Sequence, residues 1–169
     1  MSDDVKNGHE HAPGWQEAED AGVTVTHPRV VVGVDASPEA KAALAWAAQY
    51  ARLGGARLDV VHAWRLDDES AWLQELPPPA PRTAVAQDEL EKLVEEVVGF
   101  GVDAEARVVE GRAAKVLVHE ARGALLLVVG SRGHGGFEGL LLGSVSAQCA
   151  AHAPCSVVIV RPDRLPEAS

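Results

Sequence analysis

Residues 29–35 have the sequence Arg-Val-Val-Val-Gly-Val-Asp, a β-branched run without polar alternation that is typical of a strand buried on both faces. Ser37-Pro38-Glu39 follows, with an N-cap serine, a proline at the first helical position and an acid in the first turn. The alanine-rich segment after it ends at Gly54-Gly55, and Leu58-Asp-Val-Val-His-Ala63 is the next strand. Strand, helix and strand within residues 29–63 predict the βαβ unit of a parallel sheet.

The same alternation continues towards the C-terminus. Helices are predicted over residues 86–98, 113–122 and 144–151, and strands over residues 102–109, 124–129 and 156–160. Five strands alternating with four helices predict one α/β unit, an open doubly wound parallel sheet with helices on both faces and right-handed crossovers, which is a Rossmann-like fold. Residues 65–85 interrupt the alternation with acids and four prolines, which predicts a long loop that is either functional or disordered.

Length and charge set the domain organisation and the classes of partner. The chain has 169 residues and a net charge of −10, which predicts a single acidic domain that we place at residues 29–162. Residues 1–28 contain six acids and one base without periodicity, so we expect a disordered acidic tail there and a short C-terminal tail at residues 163–169. An acidic body repels phosphate backbones, which disfavours nucleic acids and anionic membranes as partners.

Composition also bears on location and metal binding. Apolar runs such as residues 124–129 are far shorter than the ~20 residues that span a bilayer, and the acidic start does not resemble a secretory signal. Cys149 and Cys155 form neither a disulfide framework nor a zinc motif, and His9-Glu10-His11 lacks a third fixed ligand. We therefore expect a cytoplasmic protein with free thiols and no metal site.

The most informative segment is glycine-rich and follows the fourth predicted strand, with the sequence Gly130-Ser-Arg-Gly-His-Gly-Gly-Phe-Glu-Gly-Leu-Leu-Leu-Gly-Ser-Val145. In open α/β sheets, ligands bind beyond the carboxyl ends of the strands. Gly130 and Gly133 permit a positive φ and a close approach of ligand to backbone, and Gly143-Ser144 opens a helix whose free amides favour an anion. The segment predicts a phosphate cradle, although it contains no Walker Gly-Lys-Ser/Thr and no GxGxxG fingerprint.

The spacing G-x2-G-x9-G-S, at Gly130, Gly133, Gly143 and Ser144, is similar to the nucleotide-binding signature of the universal stress protein family. The segments at residues 30–38, 60–63 and 155–162 resemble the same family, so that the resemblance covers roughly residues 29–162. One departure is Ala113, since many relatives have a proline two residues after the glycine that is Gly111 here. This departure leaves the detail of the adenine-side wall open.

The resemblance implies a strand order of 3-2-1-4-5 and ATP as the ligand, with Mg. By the family's motif, the carboxylate of Asp35 accepts hydrogen bonds from the ribose hydroxyls. Gly33 and Val34 let the nucleotide lie against the end of the strand, and the backbone of Ala63 meets the adenine edge.

The phosphates and the partner subunit are implied in the same way. The resemblance assigns the phosphates to the backbone and side chains of Gly130, Ser131, Arg132, Gly133, Gly143, Ser144 and Val145. It also implies a homodimer that pairs through the last strand, Ser156 to Val160. That strand is otherwise an exposed apolar edge, which proteins usually cover.

Several candidate binding residues also have a simpler interpretation. Asp35 could form only an Asx turn before the first helix. Ser144 could cap the last helix, with or without a phosphate contact. Arg132 and His134 could reach a phosphate or face solvent.

Other chemistry-bearing residues are interpreted as structural. His62 ends an apolar strand and is predicted to be a core histidine, and the two cysteines to be buried small hydrophobes rather than a redox switch. His119 and His152 are predicted to pack or to face solvent. Trp64 and Trp72 flank the proline-rich loop, where they form a lid over adenine or anchor the loop.

Two functions stay open. The first is an ATP-binding regulatory module that signals to an unknown protein partner and has no catalytic residues. The second is a slow ATPase or an adenylate-transferring enzyme on the same site, which would need a group to orient the attacking water. Glu138 is the only acid within the glycine-rich segment, and no feature directs it at a phosphate. A ligand-free structural dimer is disfavoured by the complete glycine signature, because glycine has an entropic cost.

Overall fold

A computed structural model describes residues 28–65, 82–133 and 141–162. The predictions for the acidic tail, for Trp72 and most of the proline-rich loop, for His134 and Glu138, and for residues 163–169 lie outside the described residues.

The described part of the chain contains five strands and four helices in strict alternation. They are β1 (Arg29–Gly33), α1 (Pro38–Gly54), β2 (Arg57–Trp64), α2 (Arg82–Val98), β3 (Ala104–Glu110), α3 (Ala113–Glu120), β4 (Leu126–Gly130), α4 (Ser144–His152) and β5 (Ser156–Val160). Each predicted element is present; the largest difference is at α2, which begins at Arg82 rather than at residue 86. None of these helices is long and apolar enough to cross a membrane.

The strands form one parallel sheet in the order β3-β2-β1-β4-β5, which confirms the expected fold and strand order. β1 lies at the centre, pairing Val30 with Leu58 of β2 on one side and with Leu126 of β4 on the other. The chain reverses its direction of progress across the sheet between β1 and β4. The carboxyl ends of these two strands therefore flank the switch point, where open α/β sheets bind ligands.

The first helix begins and ends where its sequence predicts. The hydroxyl of Ser37 accepts a hydrogen bond from the amide of Ala40 at 3.2 Å, which caps the N-terminus of α1. Gly55 ends the helix in the left-handed conformation, with φ of 61°. Alanines form much of the buried face of α1, and their small side chains let the helix lie close to the sheet.

The sheet is buried on both faces. Val30, Val32 and Val60 point into a core beneath α1 and α2, whereas Val31 and Leu127 point into a second core beneath α3 and α4. The β-branched run of β1 thus reflects burial of alternate side chains in two different cores.

One charged side chain is buried near the amino end of β2. Asp59 is 2% exposed and is held by three arginines, with Oδ2 at 2.7 Å from Arg29 and 3.3 Å from Arg107, and Oδ1 at 3.1 Å from Arg57. Arg107 also contacts Glu120 at 2.6 Å, so the network joins three strands to α3. Sequence analysis did not detect this network, because a single aspartate inside an apolar strand carries no signal of its partners.

Candidate functional site

A cleft of about 320 Å³ lies at the carboxyl ends of the central strands, within the usual size range of small-molecule sites. Of the predicted site residues, the structure brings together Gly33, Val34, Asp35, Ala63, Gly130, Arg132, Gly133, Gly143, Ser144 and Val145 along its wall. Ser131 does not line the cleft. Its side chain is buried behind the wall, and its amide donates to the carbonyl of Val160 at 2.8 Å.

Asp35 is held in one orientation at the end of β1. Its Oδ1 accepts hydrogen bonds from the amide of Ser37, at 3.0 Å, and from the Ser37 hydroxyl. The Asx-turn interpretation is therefore correct for this oxygen. The other oxygen, Oδ2, faces the glycine segment, since a Cβ atom built on Gly133 would lie 2.5 Å from it.

The wall between β1 and β2 is apolar. A Cβ atom at Gly33 would lie 2.6 Å from Cδ1 of Leu117 in α3, so a side chain at this position would have to displace the end of the leucine. Ala63 and Ala113 both line the same cleft. The departure at residue 113 thus places a small apolar side chain in this wall.

The glycines of the cradle act through close approach and not through unusual backbone angles. Gly130 and Gly133 are able to take a positive φ, but neither does, and the positive φ values of the described residues occur at other glycines. A Cβ atom at Gly130 would come within 3.0 Å of the backbone of Glu39 in the first turn of α1. At residues 130 and 133 the segment therefore lies so close to α1 and Asp35 that a side chain would have to displace one of these neighbours.

The far side of the cleft is the start of α4. Gly143 is the N-cap of this helix, with φ of −74° and ψ of 166°, and Ser144 is its first residue, so the interpretation of Ser144 as the cap is wrong. The amides of the first turn of a helix have no partner within the helix. Ser144 and Val145 line the cleft, so their amides and the positive end of the helix dipole lie at its edge.

Arg132 supplies the positive side chain nearest to the cradle. Its guanidinium lies 4.0 Å from the carboxylate of Glu39, and its side chain is 43% exposed. This position fits both interpretations of Arg132, contact with a phosphate and exposure to solvent, because the guanidinium borders the cleft and also contacts solvent.

The sequence model of the universal stress protein family matches residues 26–161. The chain belongs to the universal stress protein family. A universal stress protein of Mycolicibacterium smegmatis is 37% identical over an alignment of 140 residues. The alignment covers 79% of this chain and 45% of that protein. This universal stress protein thus spans about half the length of the mycobacterial relatives that it matches.

Two solved structures extend the comparison. A universal stress protein in complex with cAMP is 29% identical, with a TM-score of 0.59 and coverage of 80% of this chain and 97% of that one. A family member from Arabidopsis thaliana with AMP bound is 25% identical, with a TM-score of 0.55 and coverage of 83% and 97%.

The other candidate residues within the described part of the chain do not line the cleft of this universal stress protein. His62 is buried and its Nδ1 lies 3.0 Å from the carbonyl oxygen of Val34, as expected of a core histidine. Trp64 packs against Ala86 and Val108, which favours the anchoring interpretation over a lid. His119 and His152, the other two histidines in the described part of the chain, are exposed, which confirms a surface position for both.

The two cysteines are free thiols. Cys149 is fully buried in the core beneath α3 and α4, and burial raises its pKa to about 11. Burial also raises the pKa of Cys155, which is partly exposed. Both thiols are therefore protonated at neutral pH, and the interpretation as small hydrophobes holds fully for Cys149 and in part for Cys155.

Sequence analysis missed several residues of the cleft wall. Ala40, Val61, Leu117, Val129 and Ser146 line it as well. The first four are ordinary core residues in the sequence, and only the packing of α1 and α3 on the sheet brings them to the cleft. Ser146 is buried in the first turn of α4, where a serine gives no signal that distinguishes it from a surface residue.

Proposed function

We propose that this universal stress protein binds ATP in the cleft at the carboxyl ends of β1 and β4 and acts as a regulatory module of the stress response. The observation that carries the proposal is the position of Asp35 and the glycine segment on one cleft that also includes the start of α4. The relatives solved with cAMP and AMP support an adenine nucleotide as the ligand. We place this activity in the bacterial cytoplasm, in keeping with the mycobacterial relatives.

The adenosine part of the ligand is assigned to the β1 and β2 side of the cleft. Asp35 would accept hydrogen bonds from the ribose hydroxyls through its carboxylate, which Ser37 orients at the end of β1. Gly33 and Val34 would lie against the sugar, and the backbone of Ala63 would meet the adenine edge. The apolar wall at Ala113 and Leu117 suits the face of a base.

The phosphates are assigned to the β4 and α4 side. A helix start offers amides and a positive dipole to an anion, which suits a phosphate even in a chain with a net charge of −10. Gly130 to Gly133 would wrap the chain of phosphates, and Gly143, Ser144 and Val145 would donate to it. Arg132 would add positive charge once it leaves Glu39. Asp35 is the one carboxylate among the described lining residues, so Mg would be held mainly by the phosphates themselves.

Binding without rapid turnover is the favoured activity. Hydrolysis requires a group that orients water and a group that neutralises developing charge. Arg132 is suited to the second role, whereas Asp35, the one acid among the described lining residues, is assigned to the ribose. A slow ATPase or an adenylate-transferring enzyme is the alternative that the test below distinguishes.

The test is to denature freshly purified protein and to analyse the released nucleotide by chromatography and mass spectrometry. Folded Gly133→Val is the variant, and Gly54→Val is the matched control, because a Cβ atom at Gly54 meets nothing within 4 Å. Near-stoichiometric ATP from wild type and Gly54→Val, with none from Gly133→Val, is the expected result. Mostly ADP favours the slow ATPase. No nucleotide, and no binding of added Mg-ATP, contradicts nucleotide binding.

We also propose that two copies pair through β5. This strand is an edge of the sheet with β4 as its one neighbour in the described chain, and Val157, Val158 and Ile159 are half-buried. Exposed strand edges of this kind are usually covered. Hydrogen exchange measured at rising protein concentration tests the pairing, with slower exchange of the β5 amides expected. Concentration-independent exchange and a monomer by light scattering would contradict it.

A further inference from the structure

The two ends of the glycine-rich segment meet at one backbone atom, the carbonyl oxygen of Ser131. The amide of Gly143 donates a hydrogen bond to it at 2.8 Å, and the hydroxyl of Ser146 donates to it at 3.0 Å. The amide of Ser131 in turn donates to Val160 of β5 at 2.8 Å. The start of α4 is thereby tied to the end of β4 and to the edge of the sheet.

Ser146 is the only side chain in this junction among the described residues, and it is 2% exposed. Its single hydroxyl proton is shared between the carbonyl oxygens of Ser131 and Gly143, the second at 2.9 Å. Each carbonyl has another donor, since Gly143 donates to Ser131 and Ala147 donates to Gly143 at 3.0 Å. Removal of the hydroxyl therefore leaves neither carbonyl unsatisfied.

The junction has little free space. A Cβ atom at Gly143 would lie 3.3 Å from Cα of Arg132, 3.5 Å from the Ser131 oxygen and 3.8 Å from the Ser146 hydroxyl. Small movements of α4 relative to β4 are limited by these contacts and by the hydroxyl bridge. Ser144 and Val145 lie in the chain between Gly143 and Ser146, which both donate to the Ser131 oxygen. The same bridge therefore fixes the positions of the Ser144 and Val145 amides.

We propose that Ser146 is a positioning residue that holds the amides of the α4 start at the distance a phosphate group requires. The inference rests on the proposed nucleotide binding and specifies its phosphate side. Ser146 acts on phosphorylated ligands and not on the adenosine part, because Asp35 and Ala63 lie at the ends of β1 and β2, whereas the junction joins β4, α4 and β5. The sequence signature ends at Ser144 and does not include this residue.

The test compares Ser146→Ala and Ser146→Thr with wild type by calorimetry, using ATP, AMP and adenosine. Thr83→Ala, at an exposed hydroxyl residue of α2, is the matched control. Loss of one neutral hydrogen bond predicts about five- to tenfold weaker binding of ATP and AMP by Ser146→Ala, with adenosine unchanged. Ser146→Thr keeps the hydroxyl and is expected to bind within about twofold of wild type.

A second readout needs no ligand. Hydrogen exchange at the Gly143 amide of ligand-free protein is expected to be faster in Ser146→Ala than in wild type or Thr83→Ala. Unchanged ATP binding by Ser146→Ala, or an equal loss for ATP and adenosine, overturns the positioning role while nucleotide binding stands. Absence of binding by wild type overturns the proposed function instead, and the positioning role with it.

Discussion

Gly133 lies against the carboxylate of Asp35, so closely that a Cβ atom on the glycine would come within 2.5 Å of Oδ2. The two residues follow different strands, β4 and β1, which are neighbours at the centre of the sheet. One belongs to the proposed phosphate cradle and the other to the proposed ribose site. A side chain at residue 133 therefore disturbs both parts of the cleft at once.

The first prediction concerns this contact. Gly133→Ala is expected to weaken binding of ATP and of adenosine by about tenfold or more, because the new methyl group displaces the Asp35 carboxylate. Calorimetry gives both affinities, and thermal unfolding checks that the fold is retained. Gly54→Ala, with open space around the added methyl, is the control. Adenosine binding equal to wild type would show that the glycine acts on the phosphates alone.

The second prediction isolates the charge of Asp35. Asp35→Asn keeps an acceptor oxygen for Ser37 but removes the negative charge, whereas Asp35→Ala removes both. Loss of hydrogen bonds to a charged acceptor predicts roughly 10- to 100-fold weaker binding of ATP and adenosine alike in both variants. Equilibrium titration with each ligand measures the two ratios. A loss for ATP without a loss for adenosine would refute the ribose role.

The third prediction addresses the buried carboxylate of Asp59 and its three arginines. Asp59→Ala is expected to lower the free energy of unfolding by about 3 kcal/mol, the lower end for a broken buried ion pair, because the arginines are partly exposed. Urea denaturation measures this change. Glu105→Gln removes an exposed partner of Arg57 and is expected to cost less than about 1 kcal/mol.

The nucleotide affinity of Asp59→Ala is expected to differ from its stability in being unaffected by the substitution. The Asp59 network lies near the amino ends of β1, β2 and β3, at the opposite end of the sheet from the cleft. Folded Asp59→Ala is therefore expected to bind ATP as wild type does. A large loss of affinity would show that the network and the cleft are coupled.

The fourth prediction concerns the pH dependence of stability. Burial raises the pKa of Cys149 from 9.0 to about 11, so between these values the folded protein retains a proton that the unfolded chain has released. The free energy of unfolding therefore falls as the pH rises through this window. Urea denaturation across it should show a shallower decline for Cys149→Ala than for wild type. An equal decline of the free energy of unfolding with pH in the two proteins would contradict this prediction.

Much of the architecture was predictable from local patterns. The β-branched run of β1, the Ser37 cap and the left-handed Gly55 depend on residues within a few positions of one another, and the structure has them where the sequence places them. The family resemblance likewise named ten of the sixteen described residues that line the cleft. The local pattern did not decide the geometry in two places: Ser144 was a possible cap but follows the cap residue, and Gly130 and Gly133 are able to take a positive φ but do not.

By itself the sequence determined the alternation of strands and helices and the family signature, because hydrophobic periodicity, caps and turn residues act over one or two turns of chain. Only the tertiary structure decided which residues meet. The contact of Gly133 with Asp35, the bridge from Ser146 to Ser131 and the arginines around Asp59 each join different elements of the fold. Such contacts depend on how closely helices and strands pack, and no local pattern encodes that distance.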